Sequence, residues 1–485
     1  MPAPTHADAA LAASAALVAR LAEREQAELI ETHLSWVLLG ASVAYKIKKP
    51  LRLPFVDYTS LAAREHFCQE EWRLNRRLAP SIYRDVVAIT GSPDAPILGG
   101  SGPAIEVAVR MRRFEAHALL SERLRTGTLT PGTVDACADM LARFHATAPM
   151  ASPDDGFATP ERRSATAQAA LAGAAPACRG DEAIRLGHWL HAQAATLAPL
   201  WSDRLAQGRL RECHGDLHLA NLIDEDGVIS AFDGIEFDPA LRWIDVIDDI
   251  AFVVMDLHAG GRADLAFRLL NRWLDGSGDH AGLPTLRFAV VYRALVRTQV
   301  SLLQGQGDLA RRYLDCALHW IEPGPTWLAI MNGLPGSGKS HVSQRLLEQH
   351  GAIRVRADVE RKRLFGLAAD ANSRALGLNI YDRASGERTY AALLAAARAA
   401  IGSQLPVILD AAHLRKTECA RAARLAKTLR VPFRIVPCEA PDEVLRQRIA
   451  QRHGDASEAD VAVMEHLRTV AQALSPAEQA FIWRA

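Results

Sequence analysis

Eight residues, Gly333-Leu334-Pro335-Gly336-Ser337-Gly338-Lys339-Ser340, satisfy every fixed position of the pattern G-x-x-x-x-G-K-[ST]. Gly333, Gly336 and Gly338 let the backbone curl so that N–H groups, that of Ser337 among them, converge on phosphate oxygens. Lys339 then reaches the terminal phosphates of a nucleoside triphosphate, and the Ser340 hydroxyl is placed to hold Mg2+. The apolar run Trp327 to Met331 reads as a buried strand and His341 to Gln349 as a helix, so the loop sits at a strand-to-helix junction. This segment constrains the fold more than any other. It demands a buried strand, a tight turn and a helix whose N-terminus faces an anion.

At 485 residues the chain has room for several compact units with sizeable cores. Lys plus Arg and Asp plus Glu are equal at 56 each, so no global field draws the protein to nucleic acid or to a membrane surface. The seven cysteines are scattered without a C-x-x-C pair, which argues against a disulfide framework and a zinc site and fits a reducing cytoplasm. Residues 8 to 22 are apolar and Ala-rich but carry Asp8 and Arg20 and run into Glu23, Arg24 and Glu25. They read as an amphipathic helix, neither signal peptide nor membrane span.

Up to about residue 115 the pattern mixes strands with one helix: Ser35 to Leu39 and Val43 to Ile47 extended, Leu61 to Leu78 helical. A hairpin of Val86 to Thr90 with Ala104 to Met111 is expected around the turn-rich residues 91–103. From Glu115 to Trp320 the apolar spacing is mostly helical, broken by a strand-and-loop segment from Cys213 to Asp238. Residues 151–180, rich in Ala, Pro and Gly, read as a mobile insertion. Ile321-Glu322-Pro323-Gly324-Pro325 reads as the linker before the phosphate loop.

The interruption carries a second constellation. In His214-Gly215-Asp216-Leu217-His218-Leu219-Ala220-Asn221 an Asp and an Asn stand five residues apart, and Asp233 follows after the strand-like Val228 to Phe232. That spacing suits phosphoryl transfer: Asp216 accepts or orients the proton of an attacking hydroxyl, while Asn221 and Asp233 hold metal ions. His214-Gly215-Asp216 with Asn221 and Asp233-Gly234-Ile235-Glu236-Phe237 resembles the aminoglycoside phosphotransferase and choline kinase branch of the protein-kinase-like fold.

The resemblance implies a strand Lys that grips nucleotide phosphates and a helix Glu that pairs with it. Lys46, in Tyr45-Lys46-Ile47-Lys48-Lys49, and Glu71, in the helix with Glu70 and Asn75, are the preferred pair, although Lys46 and Lys48 share a strand face. No G-x-G-x-x-G precedes this strand; only Gly40 is available. Residues 108–113 fall where an interlobe hinge holds adenine. Asp245 and Asp249, in a run of helical spacing from Trp243 to Phe252, are expected to hydrogen-bond the catalytic loop or cap a helix.

Downstream of Lys339, two more strand-like runs end in acids: Ile353 to Arg356 before Asp358, and Val407 to Leu409 before Asp410. Carboxyl ends of parallel strands line the ligand crevice. Asp410 is therefore placed to bind Mg2+, and Asp358 to activate an acceptor hydroxyl beside an anion-binding Arg. After Phe433 to Pro437, the helix from Pro441 carries Arg446, Arg448 and Arg452. Arg448 and Arg452 share a face, either as a lid over transferring phosphate or as a solvated basic helix. The phosphate loop, Arg356-Ala357-Asp358-Val359-Glu360-Arg361-Lys362, Leu409-Asp410-Ala411-Ala412 and the Arg-rich helix together resemble small-molecule P-loop kinases, gluconate-kinase-like and zeta-toxin-like, of AAA type.

The expected fold class is multidomain α+β and α/β. Residues 1–320 form a bilobal protein-kinase-like domain, with lobes at about 30–113 and 114–320, and residues 325–485 a three-layer P-loop NTPase domain with a parallel sheet. The expected function is a cytoplasmic protein with two ATP-dependent phosphoryl-transfer centres, each using Mg2+ and a small-molecule hydroxyl acceptor. GTP, the acceptor and the oligomeric state stay open. Two alternatives remain: a regulatory module in which one domain senses nucleotide without turnover, and a resistance or toxin-like kinase acting on an antibiotic or cell-wall sugar.

Overall fold

The computed structural model describes residues 6–53, 56–369, 371–373, 375–376, 378, 380–451 and 456–484. The chain packs as two compact units. One comprises Met1–Leu129, Ala148–Ala158 and Gly208–Asp249; the other comprises Thr130–Thr147, Thr159–Gln207 and Ile250–Ala485.

The first unit is built on antiparallel strands. They are β1 (Glu28–Glu31), β2 (Ser35–Leu39), β3 (Val43–Lys48), the short pair β4 (Arg52–Leu53) and β5 (Val56–Asp57), β6 (Tyr83–Ser92), β7 (Ala95–Leu98) and β8 (Glu106–Arg112). Six of them form one sheet in the order β1-β2-β3-β8-β6-β7. The helix His6–Arg24 lays Leu17, Val18 and Leu21 against Trp36, Leu38, Ile47, Ile89 and Ala108 of this sheet. Its apolar stripe makes it an ordinary amphipathic helix.

The helix Leu61–Asn75 starts where the Ser60 side chain accepts the Ala63 N–H. Its buried stripe runs Arg64, Cys68, Glu71, Asn75, at helical spacing but largely polar. Such a stripe is tolerable only when each group is paired, and Arg64 meets Glu106 at 2.8 Å while Glu71 meets lysines of β3. The expected two-stranded hairpin has a third strand. Ser92 to Ala95 makes its own tight turn, so β6 pairs with β7 before β8 returns along its other edge. The unit is completed by β9 (Leu210–Glu212), β10 (Leu222–Glu225), β11 (Val228–Ala231) and β12 (Trp243–Asp245), joined as antiparallel pairs β10–β11 and β9–β12. Trp243 to Asp245 is therefore a strand, and the expected helix begins only at Val246.

The second unit contains a bundle of helices and a parallel sheet. The strands β13 (Leu328–Asn332), β14 (Ile353–Arg356), β15 (Val407–Asp410) and β16 (Phe433–Pro437) run in the order β14-β15-β13-β16. β13 and β15 are near-continuous apolar runs, as strands covered on both faces must be. The Ala-rich stretch read as a mobile insertion contains a helix, Pro160–Ala174, started by Thr159 and a proline at its first turn. Its Ala167, Ala170, Leu171 and Ala174 are buried; alanine here lets helices approach closely. Among the described residues no helix is long and apolar enough to cross a membrane.

Candidate functional site

In the first unit the period-two rule of β3 sends Lys46 and Lys48 to one face, and both reach Glu71 of the helix Leu61–Asn75. Lys46 Nζ lies 2.9 Å from one Glu71 oxygen and Lys48 Nζ 2.8 Å from the other. Lys46 also forms an ion pair with Asp233, just after β11, and Lys48 with Glu236. Burial alone would favour the neutral amine at Lys46, but Asp233, Glu71 and Glu236 outweigh it and hold its pKa well above the usual value. Burial likewise opposes charge on Glu71, and the two lysines overcome it, keeping the carboxyl well below the ordinary range.

Asp233 has φ +61, in the left-handed region that Asp tolerates better than most side chains. Its N–H donates to the Tyr83 hydroxyl at 3.1 Å, and the next N–H, of Gly234, donates to Asn75 Oδ1 at 2.7 Å. The backbone is thus pinned while the carboxylate stays accessible.

The loop after β9 is fixed in a similar way. His214 N–H and Gly215 N–H donate to the two oxygens of the fully buried Asp249, at 3.2 and 2.9 Å. This is the loop-holding role expected for that acid, while Asp245 accepts the Ile247 N–H at the start of the next helix. Gly215 sits at φ +86, where a Cβ would lie 2.7 Å from the Leu241 carbonyl oxygen, so no other residue fits without moving backbone. His214 Nε2 is 2.9 Å from the Phe232 carbonyl, which can only accept. The proton is therefore on Nε2, and Nδ1 accepts the Asp216 N–H at 3.3 Å. Burial lowers the His214 pKa and keeps the ring neutral. Asn221 Nδ2 donates to the Asp216 carbonyl at 2.9 Å and to its carboxylate at 3.3 Å. His218 Nε2 stands 3.5 Å from the same carboxylate.

In the second unit the phosphate loop leaves β13 and enters the helix Lys339–His350, whose N-cap Gly338 is left-handed. Gly333 N–H donates to Ala412 O, and Ser337 N–H to Leu334 O. Gly336, at φ +82, lies under the helix Asp442–Ala450; a Cβ there would come within 2.8 Å of Leu445 O. Lys339 Nζ folds back onto Leu334 O at 2.8 Å. Ser340 opens the helix beside it. Asp410 ends β15, is buried, and accepts the Ser343 hydroxyl at 2.9 Å. The parallel register sets Arg356 beside Asp410, so Asp358, two residues beyond β14, leaves the same sheet end. Asp358 lies in the first turn of the helix Ala357–Leu364 and pairs with Arg361 at 2.7 Å; that guanidinium stacks 4.7 Å from the Tyr381 ring. Arg448 Nη1 donates to Gly336 O at 3.2 Å, on the loop itself. Arg452 lies outside the described residues.

The fold therefore gathers Lys46, Glu71 and Asp233 in one cluster, Asp216 and Asn221 in another of the same unit, and Lys339, Ser340, Asp410, Asp358 and Arg448 around the end of the parallel sheet. Sequence reasoning gave no role to four residues. Asn75 and Tyr83 hold the Asp233 backbone from distant elements, with no local signal. Ser343 lies one turn beyond Lys339, and Glu236 three residues beyond Asp233; both spacings were visible.

Two family models match the chain: one described as "Phosphotransferase enzyme family" over residues 98–288 and one described as "AAA domain" over residues 328–474. Uncharacterized proteins of Mycobacterium tuberculosis, Rv2004c among them, and of Mycobacterium bovis are 30% identical over 444 residues, covering 89% of this chain and 88% of the relative. Among solved structures, a choline/ethanolamine kinase family protein from Mesorhizobium loti covers 63% of this chain and 93% of its own, at 12% identity and a TM-score of 0.37. A gluconokinase from Sinorhizobium meliloti covers 33% of this chain and 82% of its own, at 18% identity and a TM-score of 0.25.

Proposed function

The chain, a phosphotransferase-family domain joined to a P-loop AAA domain, belongs to the same family as its mycobacterial relatives, and from that premise we propose that it is an ATP-dependent kinase with two phosphoryl-transfer centres acting on small-molecule hydroxyls. We assign the centres to residues 1–320 and 325–485. One observation carries the reading: Lys46, on β3, meets both a helix carboxylate, Glu71, and the acid after β11, Asp233. That trio is what a nucleotide-phosphate clamp requires, a cation held in place by one acid beside a second acid that can take a metal.

In the first centre Asp216 accepts the proton of the acceptor hydroxyl as the γ-phosphoryl leaves ATP. His214 and Asp249 fix the loop that carries it. Lys46 holds the α- and β-phosphates. Asn221 and Asp233 offer an amide and a carboxylate oxygen, a hard donor set suited to Mg2+. In the second centre the loop from Gly333 to Ser340 cradles the phosphates, Ser340 and Asp410 form the oxygen donor set, Asp358 takes the acceptor proton, and Arg448 neutralises charge on the transferring group; Arg452 is assigned the same role. These two oxygen sets would hold Mg2+, which would supply positive charge to offset that of the phosphates in both centres. Each binding cation rests on a protein oxygen, Lys46 on Asp233 and Lys339 on Leu334 O. Nucleotide binding therefore exchanges these contacts for phosphate.

The test is transfer of labelled γ-phosphate from ATP to a panel of sugars, amino alcohols and aminoglycosides by the full chain. Labelled product lost on Asp216→Ala and a second product lost on Lys339→Ala are expected. If ATP binds, no acceptor is labelled and Asp216→Ala changes nothing, the protein is a nucleotide sensor instead.

A further inference from the structure

Of the two β3 lysines, only one is poised to meet a ligand. Lys46 retains 14% side-chain exposure and faces Asp233; Lys48 retains 1% and faces inward. Full burial of a lysine is costly unless carboxylates answer its charge, and here two do. Lys48 Nζ contacts Glu71, on the helix Leu61–Asn75, and Glu236, on the segment that carries Asp233. Glu236 also accepts the hydroxyl of the fully buried Tyr58 at 2.7 Å, and the Lys48 ammonium lies 5.1 Å from that ring's centre. Burial and the neighbouring carboxylate push the Tyr58 pKa far up, so the hydroxyl remains a donor. One ammonium thus ties together β3, the helix bearing Glu71 and the Asp233 segment.

We propose that Lys48 is a positioning residue for the first nucleotide site: it satisfies Glu71 from behind so that the charge of Lys46 is free for phosphate. The proposal rests on the kinase reading above. The charge count explains the need. Lys46 and Lys48 face Glu71, Glu236 and Asp233, two positive groups against three negative. When Asp233 turns to a cation and Lys46 to phosphate, Glu71 keeps an ammonium partner only because Lys48 remains. Without Lys48, Glu71 has Lys46 alone and holds it inward, in competition with the nucleotide.

The effect is read in a Lys339→Ala background, which leaves one phosphate site, by calorimetric titration with MgATP and, separately, with adenosine. Lys48→Met is expected to raise the Kd for MgATP about tenfold or more, 1.4 kcal/mol per decade, while leaving adenosine within about twofold. In a Lys46→Ala background the same change is expected to add nothing further, because it acts through Lys46. A general structural weakening would reduce both ligands alike and would add to Lys46→Ala. Should Lys48→Met melt before it can be titrated, Lys48→Met with Glu236→Gln removes the stranded charge and keeps the Tyr58 hydrogen bond, and the same pattern is expected of it. Unchanged MgATP affinity in either folded variant, or equal loss of adenosine, overturns the proposal. Absence of MgATP binding by the Lys339→Ala parent instead overturns the nucleotide-site reading on which it rests.

Discussion

At the scale of single residues, what recurs is the ionisable group held in one protonation state by its surroundings. Glu71 is buried yet charged because two ammonium groups touch it; His214 is neutral because its burial outweighs the nearby acids and the Phe232 carbonyl, all of which favour the charged ring. His258 shows the consequence for stability most directly. Burial, and then the neighbouring His319 ring 4.7 Å away, lower its pKa to about 4. Cys316 Sγ lies 3.6 Å from its Nδ1. In the unfolded chain a histidine takes a proton from about pH 6.5 downward. Between that value and about 4 the unfolded state therefore binds more protons than the native one, and stability falls as pH falls. The expected loss over this interval is on the order of 2–3 kcal/mol. Urea melts at pH 7 and pH 5 should separate by a smaller amount in His258→Gln than in the parent; an identical separation would mean that His258 is protonated in the native state.

At the scale of elements, β14 is the edge of the parallel sheet, and an edge strand exposes unpaired backbone groups. The helix Ala263–Ser277 answers that need with one side chain. Asn271 Nδ2 donates to Ala352 O at 2.9 Å, and its Oδ1 accepts the Arg354 N–H at 2.6 Å, so a buried amide pairs with the strand as a neighbouring strand would. Asn271→Ala leaves a buried carbonyl and a buried N–H unsatisfied, and should cost about 2–4 kcal/mol in urea unfolding of the second unit. A cost near zero would mean that water reaches β14. Nothing in the sequence around Asn271 announces this role, because the groups it serves are 81 and 83 positions away. The elements that were legible carry their signal locally. β2 and β16 stand where apolar alternation or a continuous apolar run puts them, and the phosphate loop declares both of its flanking elements. β7 and the helix Pro160–Ala174 were illegible for different reasons. The first lies inside a turn-rich stretch whose glycines and prolines outweigh a four-residue strand, and the second is built on alanine, which composition alone does not distinguish from linker. Of the site, Asp216, Asn221 and Asp233 were readable as a spacing. Lys48 was visible only as an ambiguity of strand face, since its ion pair with Glu236 joins positions 188 apart.

At the scale of the whole molecule, the two arrangements proposed to bind phosphate belong to different compact units. Lys46, Glu71, Asp216 and Asp233 are all in the first; Lys339, Ser340 and Asp410 are in the second, whose sheet and helical bundle form one body. Occupancy of the two sites should therefore be countable and separable. Calorimetric titration of the full chain with a non-hydrolysable MgATP analogue is expected to give two equivalents. Lys339→Ala should leave one, Lys46→Ala should weaken the other, and the double variant should give no saturable binding. Ligand that binds only the native state stabilises it by RT ln(1 + [L]/Kd), about 2.7 kcal/mol at a hundredfold excess over Kd. Stabilisation through the Lys339 site should reach the helix Ala263–Ser277 as well as the sheet, because that helix packs against β14 and against the helix Lys339–His350. Hydrogen exchange resolves this: protection of the helix Ala263–Ser277 should rise with nucleotide in the parent and in Lys46→Ala, and not in Lys339→Ala. A single equivalent abolished by Lys339→Ala alone would reduce the first unit to a fold without a nucleotide, and Asp216 to a residue without a phosphoryl donor.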